Sequence, residues 1–134
     1  MSEQLQWLEE NGPTLLKPKT LNWDRGPINP DSNAAHTYVI SGFDPSNNPE
    51  APADTPDELF IYFQNGVMTE VGSNGVTPQV LLEVLIDRYE GFQQGPFACE
   101  ENDRALTGMR EALQAINDRQ AERAERGVLN TMQK

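Results

Sequence analysis

The sequence predicts an α+β fold: an N-terminal antiparallel β-sheet with a hairpin at residues 59–71, then a C-terminal αα-hairpin over about 77–94 and 99–126. Two β-rich runs, LFIYFQ and VMTEVG, flank Asn65-Gly66. That dipeptide is a type I′ turn signature, because both central residues of such a turn need positive φ. Two stretches with apolar residues at helical spacing follow, separated by Gly95-Pro96. The 134 residues suit a single domain. Their apolar fraction of 37% is low for a packed interior, so a modest core and much loop are expected.

Residues 1–36 read as an irregular N-terminal segment. MSEQLQWLEEN suits a short helix with Leu5 and Leu8 on one side, ending at Gly12-Pro13. Prolines 13, 18, 27 and 30 then forbid long regular elements. Trp23 is expected to tuck against the core. Residues 37–72 form the sheet region. Tyr38, Val39 and Ile40 read as a strand ended by Gly42, and a flexible loop at 44–57 carries four prolines with little to bury. The predicted hairpin closes this part.

Residues 77–127 read as the helical hairpin. Thr77 suits an N-cap and Pro78 the first helical position. Apolar residues at 81, 84, 85, 89 and 92 form one face of the first helix, and Leu82 and Ile86 widen it, so cover on more than one side is expected. Gly91 and Gly95-Pro96 end it. In the second helix, Ala105, Leu106, Met109, Ala112, Leu113 and Ile116 form the stripe, and Gly127 is a natural stop. No internal repeats occur.

Charge and composition narrow the function. Net charge is −11, and residues 1–99 carry 4 basic against 14 acidic side chains, while residues 100–134 carry 6 against 7. An acidic field disfavours duplex nucleic acid and anionic membranes, whereas anion binding among the C-terminal arginines stays feasible. One cysteine, Cys99, excludes an internal disulfide and a cysteine zinc cluster. With no long apolar run or signal peptide, an intracellular protein is expected. One histidine, His36, and the absence of HExxH, GxSxG, P-loop or GxGxxG patterns argue against an enzyme. Acidic neighbours oppose a reactive thiolate at Cys99, which reads better as a small buried residue.

Glu100, Glu101 and Asp103 suit the positive end of a helix dipole. Asn102 differs: it continues the apolar stripe toward the N-terminus, as a satisfied interface residue or a ligand contact. Arg119 continues the stripe at the other end, where the plain reading is a solvated arginine with its stem on the core. The two are 17 positions apart, about 25 Å along one helix, so one chain cannot bring both to one small ligand. Two copies packed antiparallel about a two-fold axis can, twice over. Phe92 lies near the Asn102 end. An aromatic face, an amide and a guanidinium together suit a nucleotide.

Residues 74–128, NGVTPQVLLEVLIDRYEGFQQGPFACEENDRALTGMREALQAINDRQAERAERGV, with the preceding FQNGVMTEVGSNGV, resemble the phage Thoeris anti-defence family, type one. The matching core is Gly95-Pro96-Phe97-Ala98-Cys99, Glu101-Asn102, Ala105-Leu106-Thr107, Glu111-Ala112-Leu113, Arg119, Arg123 and Arg126-Gly127-Val128. The resemblance covers roughly residues 60–130, and the helical hairpin is also similar to that of phage anti-CBASS sponge proteins. It implies a sponge in the host bacterial cytoplasm that needs no cofactor and sequesters cyclic ADP-ribose isomers such as glyco-cyclic ADP-ribose. It further implies homodimers with two interface pockets, built from residues matching Phe92, Asn102 and Arg119. Assembly into hexamers, with separate sites for cyclic di- or trinucleotides, makes Arg123, Arg126 and Thr131 candidates for a second site.

Several positions depart from the family pattern. Glu100 stands where an arginine is usual, Gly108 where a lysine is usual, and Ala115 where a tryptophan is usual. The tail GVLNTM replaces GVEGTH. The acidic charge supports a different function class, an acidic protein-binding inhibitor or DNA mimic. An inert virion module is a third reading.

Overall fold

The computed structural model describes residues 20–129, and the chain divides into two compact units after Tyr62. The expected helix at residues 1–11 and Trp7 lie outside the described residues.

The first unit holds a three-stranded antiparallel sheet in the order β1 (Asn22–Arg25), β2 (Thr37–Ser41), β3 (Leu59–Tyr62). β2 is the strand expected around Tyr38, Val39 and Ile40. β1 lies within the stretch expected to be irregular. Four residues suffice for it, because Asn22, Trp23, Asp24 and Arg25 pair with Ser41, Ile40, Val39 and Tyr38. The connection between them is a hairpin of its own. An Ile28–Ala35 bridge extends the pairing, Asn29 N–H donates to the Ala34 carbonyl, and the Asn29 Oδ1 accepts from the amides of Asp31 and Ser32. Asn33 turns the chain at φ 61°, a conformation asparagine tolerates.

Alternation sorts the strands into two faces. Asp24, Val39 and Phe60 lie in one row, with Thr37 and Tyr62 in the next. Trp23, Ile40 and Leu59, then Arg25, Tyr38 and Ile61, occupy the other face. Trp23 is 56% exposed rather than tucked away. It meets Tyr38 on its own face, with ring centroids 5.8 Å apart. Ala35 is buried in this unit. The loop at 44–57 carries one 3₁₀ turn, Pro45–Asn47, capped by the Asp44 carboxylate on Ser46 N–H. That hydrogen bond holds the Asp44 carboxyl below its ordinary range.

The expected hairpin at 59–71 does not form. β3 stops at Tyr62, and VMTEV becomes a single helical turn, α1 (Met68–Val71). Asn65 is not among the positive-φ residues, so the two-residue type I′ turn is absent; Gly66 alone has positive φ, 102°. A competing closure wins. Phe63 bridges Val76 in the parallel sense, and Gln64 N–H donates to the Val76 carbonyl at 3.0 Å. Parallel pairing needs a crossover, which a two-residue turn cannot provide. The crossover is held by side chains. Asn74 Oδ1 accepts from Asn65 N–H at 2.9 Å, and its Nδ2 donates to the Asn65 carbonyl at 2.7 Å. Gln64 answers with Oε1 accepting from Asn74 N–H and Nε2 donating to the Gly72 carbonyl.

The second unit continues with α2 (Pro78–Gln93) and α3 (Glu100–Glu125), which pack together as a hairpin. The α+β class is therefore as expected, and so are both helices to within a residue or two. Thr77 Oγ1 caps α2 by accepting from Val80 N–H, with Pro78 in the first turn. Gly91 sits inside α2 rather than ending it. Gly127, at φ 73°, closes α3 with paired bonds: Val128 N–H to the Arg123 carbonyl and Gly127 N–H to the Ala124 carbonyl. This is the Schellman arrangement, in which a glycine takes the left-handed position.

The inward row of α2 is half-buried at Leu82, Ile86, Tyr89 and Gln93. Val84 and Leu85 are exposed, at 62% and 45%, and so do not belong to the covered face. On α3 the half-buried or buried positions are Asn102, Ala105, Leu106, Met109, Leu113, Ile116 and Arg123; Ala112 is exposed. Leu106 is buried in this unit, and an Arg110–Glu90 ion pair at 2.9 Å ties the two helices.

Candidate functional site

The site is built where α2 turns into α3. Five residues, Gln94 to Ala98, reverse the chain, and Gln93 closes them by mimicking a strand. Its Oε1 accepts from Cys99 N–H at 2.9 Å, and its Nε2 donates to the Cys99 carbonyl at 3.0 Å. Cys99 is the N-cap residue of α3, and its side chain makes no capping bond. The thiol is exposed, not buried. Sequence reasoning missed Gln93, whose only visible signal is an amide side chain six residues before the next cap. The acids behave as expected, with Glu100, Glu101 and Asp103 exposed in the first turn of α3.

Asn102 is half-buried and donates through Nδ2 to the Phe97 carbonyl at 3.1 Å. Loop closure therefore accounts for part of its role. That bond also orients the amide, since only the nitrogen can face a carbonyl. Asn102 Oδ1 then points elsewhere as an acceptor. Phe92 is half-buried in the last turn of α2. Tyr89 meets its ring edge-on, with centroids 5.4 Å apart and planes at 87°. Phe92 and Asn102 thus stand at the same end of the hairpin.

Arg119 stands elsewhere. α3 has 26 residues and α2 has 16, so α3 runs about 15 Å beyond its partner at 1.5 Å per residue. Arg119 lies on that extension and is exposed, with Nη1 on Glu122 Oε2 at 3.1 Å. Arg126 also engages Glu122, and Arg123 Nη2 donates to the Val128 carbonyl at 3.0 Å. Thr131 lies outside the described residues. The hairpin therefore brings Phe92 and Asn102 together and holds Arg119 about 25 Å away along the α3 axis.

His36 is half-buried beside β2, and among the described residues no group of three His, Cys, Asp or Glu side chains is placed to hold a metal. Among those residues, no helix is long and apolar enough to cross a membrane.

Comparison with known proteins points to the same segment. A family model described as the hairpin domain of Acb2/Tad1 matches residues 55–121. The chain is 45% identical over 74 residues to Thoeris anti-defense 1 of Bacillus phage SBSphiJ7. That alignment takes in 55% of this chain and 52% of the relative, so the chain spans about half the length of the curated relative it matches. The family match includes Phe92, Asn102 and Arg119 and ends before Arg123, Arg126 and Thr131.

Proposed function

The chain belongs to the Acb2/Tad1 hairpin-domain family, and from that premise we propose that it is a phage anti-defence protein that binds and sequesters cyclic ADP-ribose-type signalling nucleotides. The relative's name, Thoeris anti-defense 1, describes that phage protein; the same role is our reading for this chain. Its place of action is the host bacterial cytoplasm, where the signal is made.

One observation carries the reading. The hairpin separates an aromatic-plus-amide half-site, Phe92 and Asn102, from a guanidinium half-site, Arg119. Two chains with α3 antiparallel bring each half-site against its complement, and two-fold symmetry produces two complete sites. Exposed apolar side chains on the second unit, Val80, Val84 and Leu85 among them, support a partnered hairpin. In each site Phe92 stacks the base, Asn102 Oδ1 accepts from the base or ribose, and Arg119 of the other chain pairs with the pyrophosphate.

Sequestration requires slow release rather than turnover, and enclosure between two chains supplies it. Arg123, Arg126 and Thr131 would serve a second site for cyclic di- or trinucleotides on further assembly to hexamers. Arg123 and Arg126 already make contacts within one chain, so that site requires those contacts to be exchanged.

The test is calorimetry with glyco-cyclic ADP-ribose isomers at micromolar protein. Binding at one ligand per chain, with the ligand recovered unchanged, is expected. No heat with any isomer overturns the reading.

A further inference from the structure

Arg88 stands one helical turn before Phe92 on α2. Its guanidinium carbon lies 4.9 Å from the centroid of the Phe92 ring. Tyr89, three residues before Phe92, meets the same ring at its edge. The spacings i,i+4 and i,i+3 place all three side chains on one helix face. Phe92 therefore has a cation over its face and a second aromatic at its rim.

Three of the other arginines are held by carboxylates, while Arg25 and Arg104, like Arg88, form no ion pair among the described residues. Arg110 pairs with Glu90, and Arg119 and Arg126 share Glu122. Among the described residues Arg88 forms no ion pair, although Asp87 and Glu90 are close by in sequence. An exposed cation–π contact is weak. A charge-assisted, bidentate bond from arginine to phosphate is stronger and draws the same planar group.

Charge makes the need concrete. The start of α3, at the same end of the hairpin, is acidic, with Glu100, Glu101 and Asp103 all exposed. An anionic ligand seated on Phe92 meets that field, which a cation beside the ring offsets. Arg88 is the cation already held against the ring.

We propose that Arg88 is an anion-binding residue of the Phe92 site. Its guanidinium takes a phosphate of the nucleotide stacked on Phe92, giving up the ring face it covers. The site then has two cations, Arg88 in the chain that supplies Phe92 and Arg119 in its partner. It selects nucleotides carrying a pyrophosphate. This assignment rests on the cyclic-nucleotide reading of the same site.

The experiment is calorimetry with glyco-cyclic ADP-ribose at several salt concentrations, on the full chain and on Arg88→Met and Arg88→Lys. Methionine keeps an unbranched apolar stem beside the ring and removes the charge. Arg88→Met is expected to weaken binding about tenfold or more and to flatten its dependence on salt. Arg88→Lys is expected to restore the salt dependence and part of the affinity, since a point charge replaces the fork. Helix content by circular dichroism should match across the three proteins. If Arg88→Met binds as the full chain does, or binds more weakly with an unchanged salt dependence, the assignment is overturned and the cyclic-nucleotide reading stands. If the unaltered chain does not bind the probe, both fail together.

Discussion

The Asn102 side chain donates through Nδ2 to the Phe97 carbonyl, 3.1 Å away, and so links the first turn of α3 to the loop before it. This one bond gives the residue two jobs, holding the turn and aiming Oδ1. Asn102→Ala is expected to lower the stability of the hairpin by about 1 kcal/mol, the usual net worth of a hydrogen bond. It is also expected to weaken nucleotide binding about tenfold or more. Asn102→Asp keeps the size but removes the donor and adds a charge beside Glu100, Glu101 and Asp103, so it should bind still more weakly. Thermal melts and calorimetry on the same samples separate the two jobs. A destabilised Asn102→Ala with full affinity would confine the amide to holding the loop.

The split between Asn102 and Arg119 predicts complementation. Each single variant, Asn102→Ala or Arg119→Ala, should lose both sites of a two-fold dimer. Mixing the two variants and allowing subunits to exchange forms heterodimers with one intact site and one doubly altered site. Calorimetry of the mixture should then recover binding, at no more than about a quarter of the wild-type sites for random exchange between equal amounts. Absence of any recovery, with exchange verified by native mass spectrometry, would remove the two-chain site.

Gln93 is expected to matter for stability more than its ordinary chemistry suggests. Its two bonds to Cys99 close the loop between the helices. Gln93→Leu removes both while keeping an apolar stem, at a cost of about 1–3 kcal/mol. Gln93→Glu keeps the acceptor but opposes the Cys99 carbonyl and should also destabilise. Denaturant unfolding of the full chain, followed by helix signal, reads both. An unchanged midpoint for Gln93→Leu would show that water replaces the bracket without loss.

Gly42 is the position in the first unit least able to accept a side chain. Its φ is 86°, and a Cβ there would run into the Thr20 carbonyl. Thr20 also donates through Oγ1 to the Gly42 carbonyl at 2.7 Å, at the end of β2. Gly42→Ala is expected to cost about 1–3 kcal/mol through strain at a left-handed position plus the clash. Protection of the β2 amides in hydrogen exchange should fall with it. Unchanged protection would mean that the Thr20 segment simply moves aside.

Local rules succeeded where one segment carries its own constraint. Thr77-Pro78 marked the start of α2, Gly127 the end of α3, and the acids at 100–103 the first turn of that helix. They failed at Asn65-Gly66, where the strongest turn signature in the chain lost to Gln64 and Asn74. Those two side chains lie ten residues apart, and their hydrogen bonds favour a parallel return at Val76 over an antiparallel one. β1 was missed for a related reason. Asn-Trp-Asp-Arg has no strand pattern of its own and is a strand because β2 offers it a ladder. Trp23 and Cys99 are exposed where burial was expected, because the described residues provide little interior to enter.

The sequence by itself determined the class of the fold, the two long helices and their caps, and the acidic charge, and it nominated Phe92, Asn102 and Arg119 as a candidate site. These follow from periodicity and capping, which act within a few residues. The tertiary structure decided which side chains meet. It set the bond from Asn102 to Phe97, the bracket from Gln93 to Cys99, the parallel return at Val76 and the ion pair from Arg110 to Glu90. Those contacts form only once the chain has reversed direction, and sequence spacing carries no direct record of that reversal.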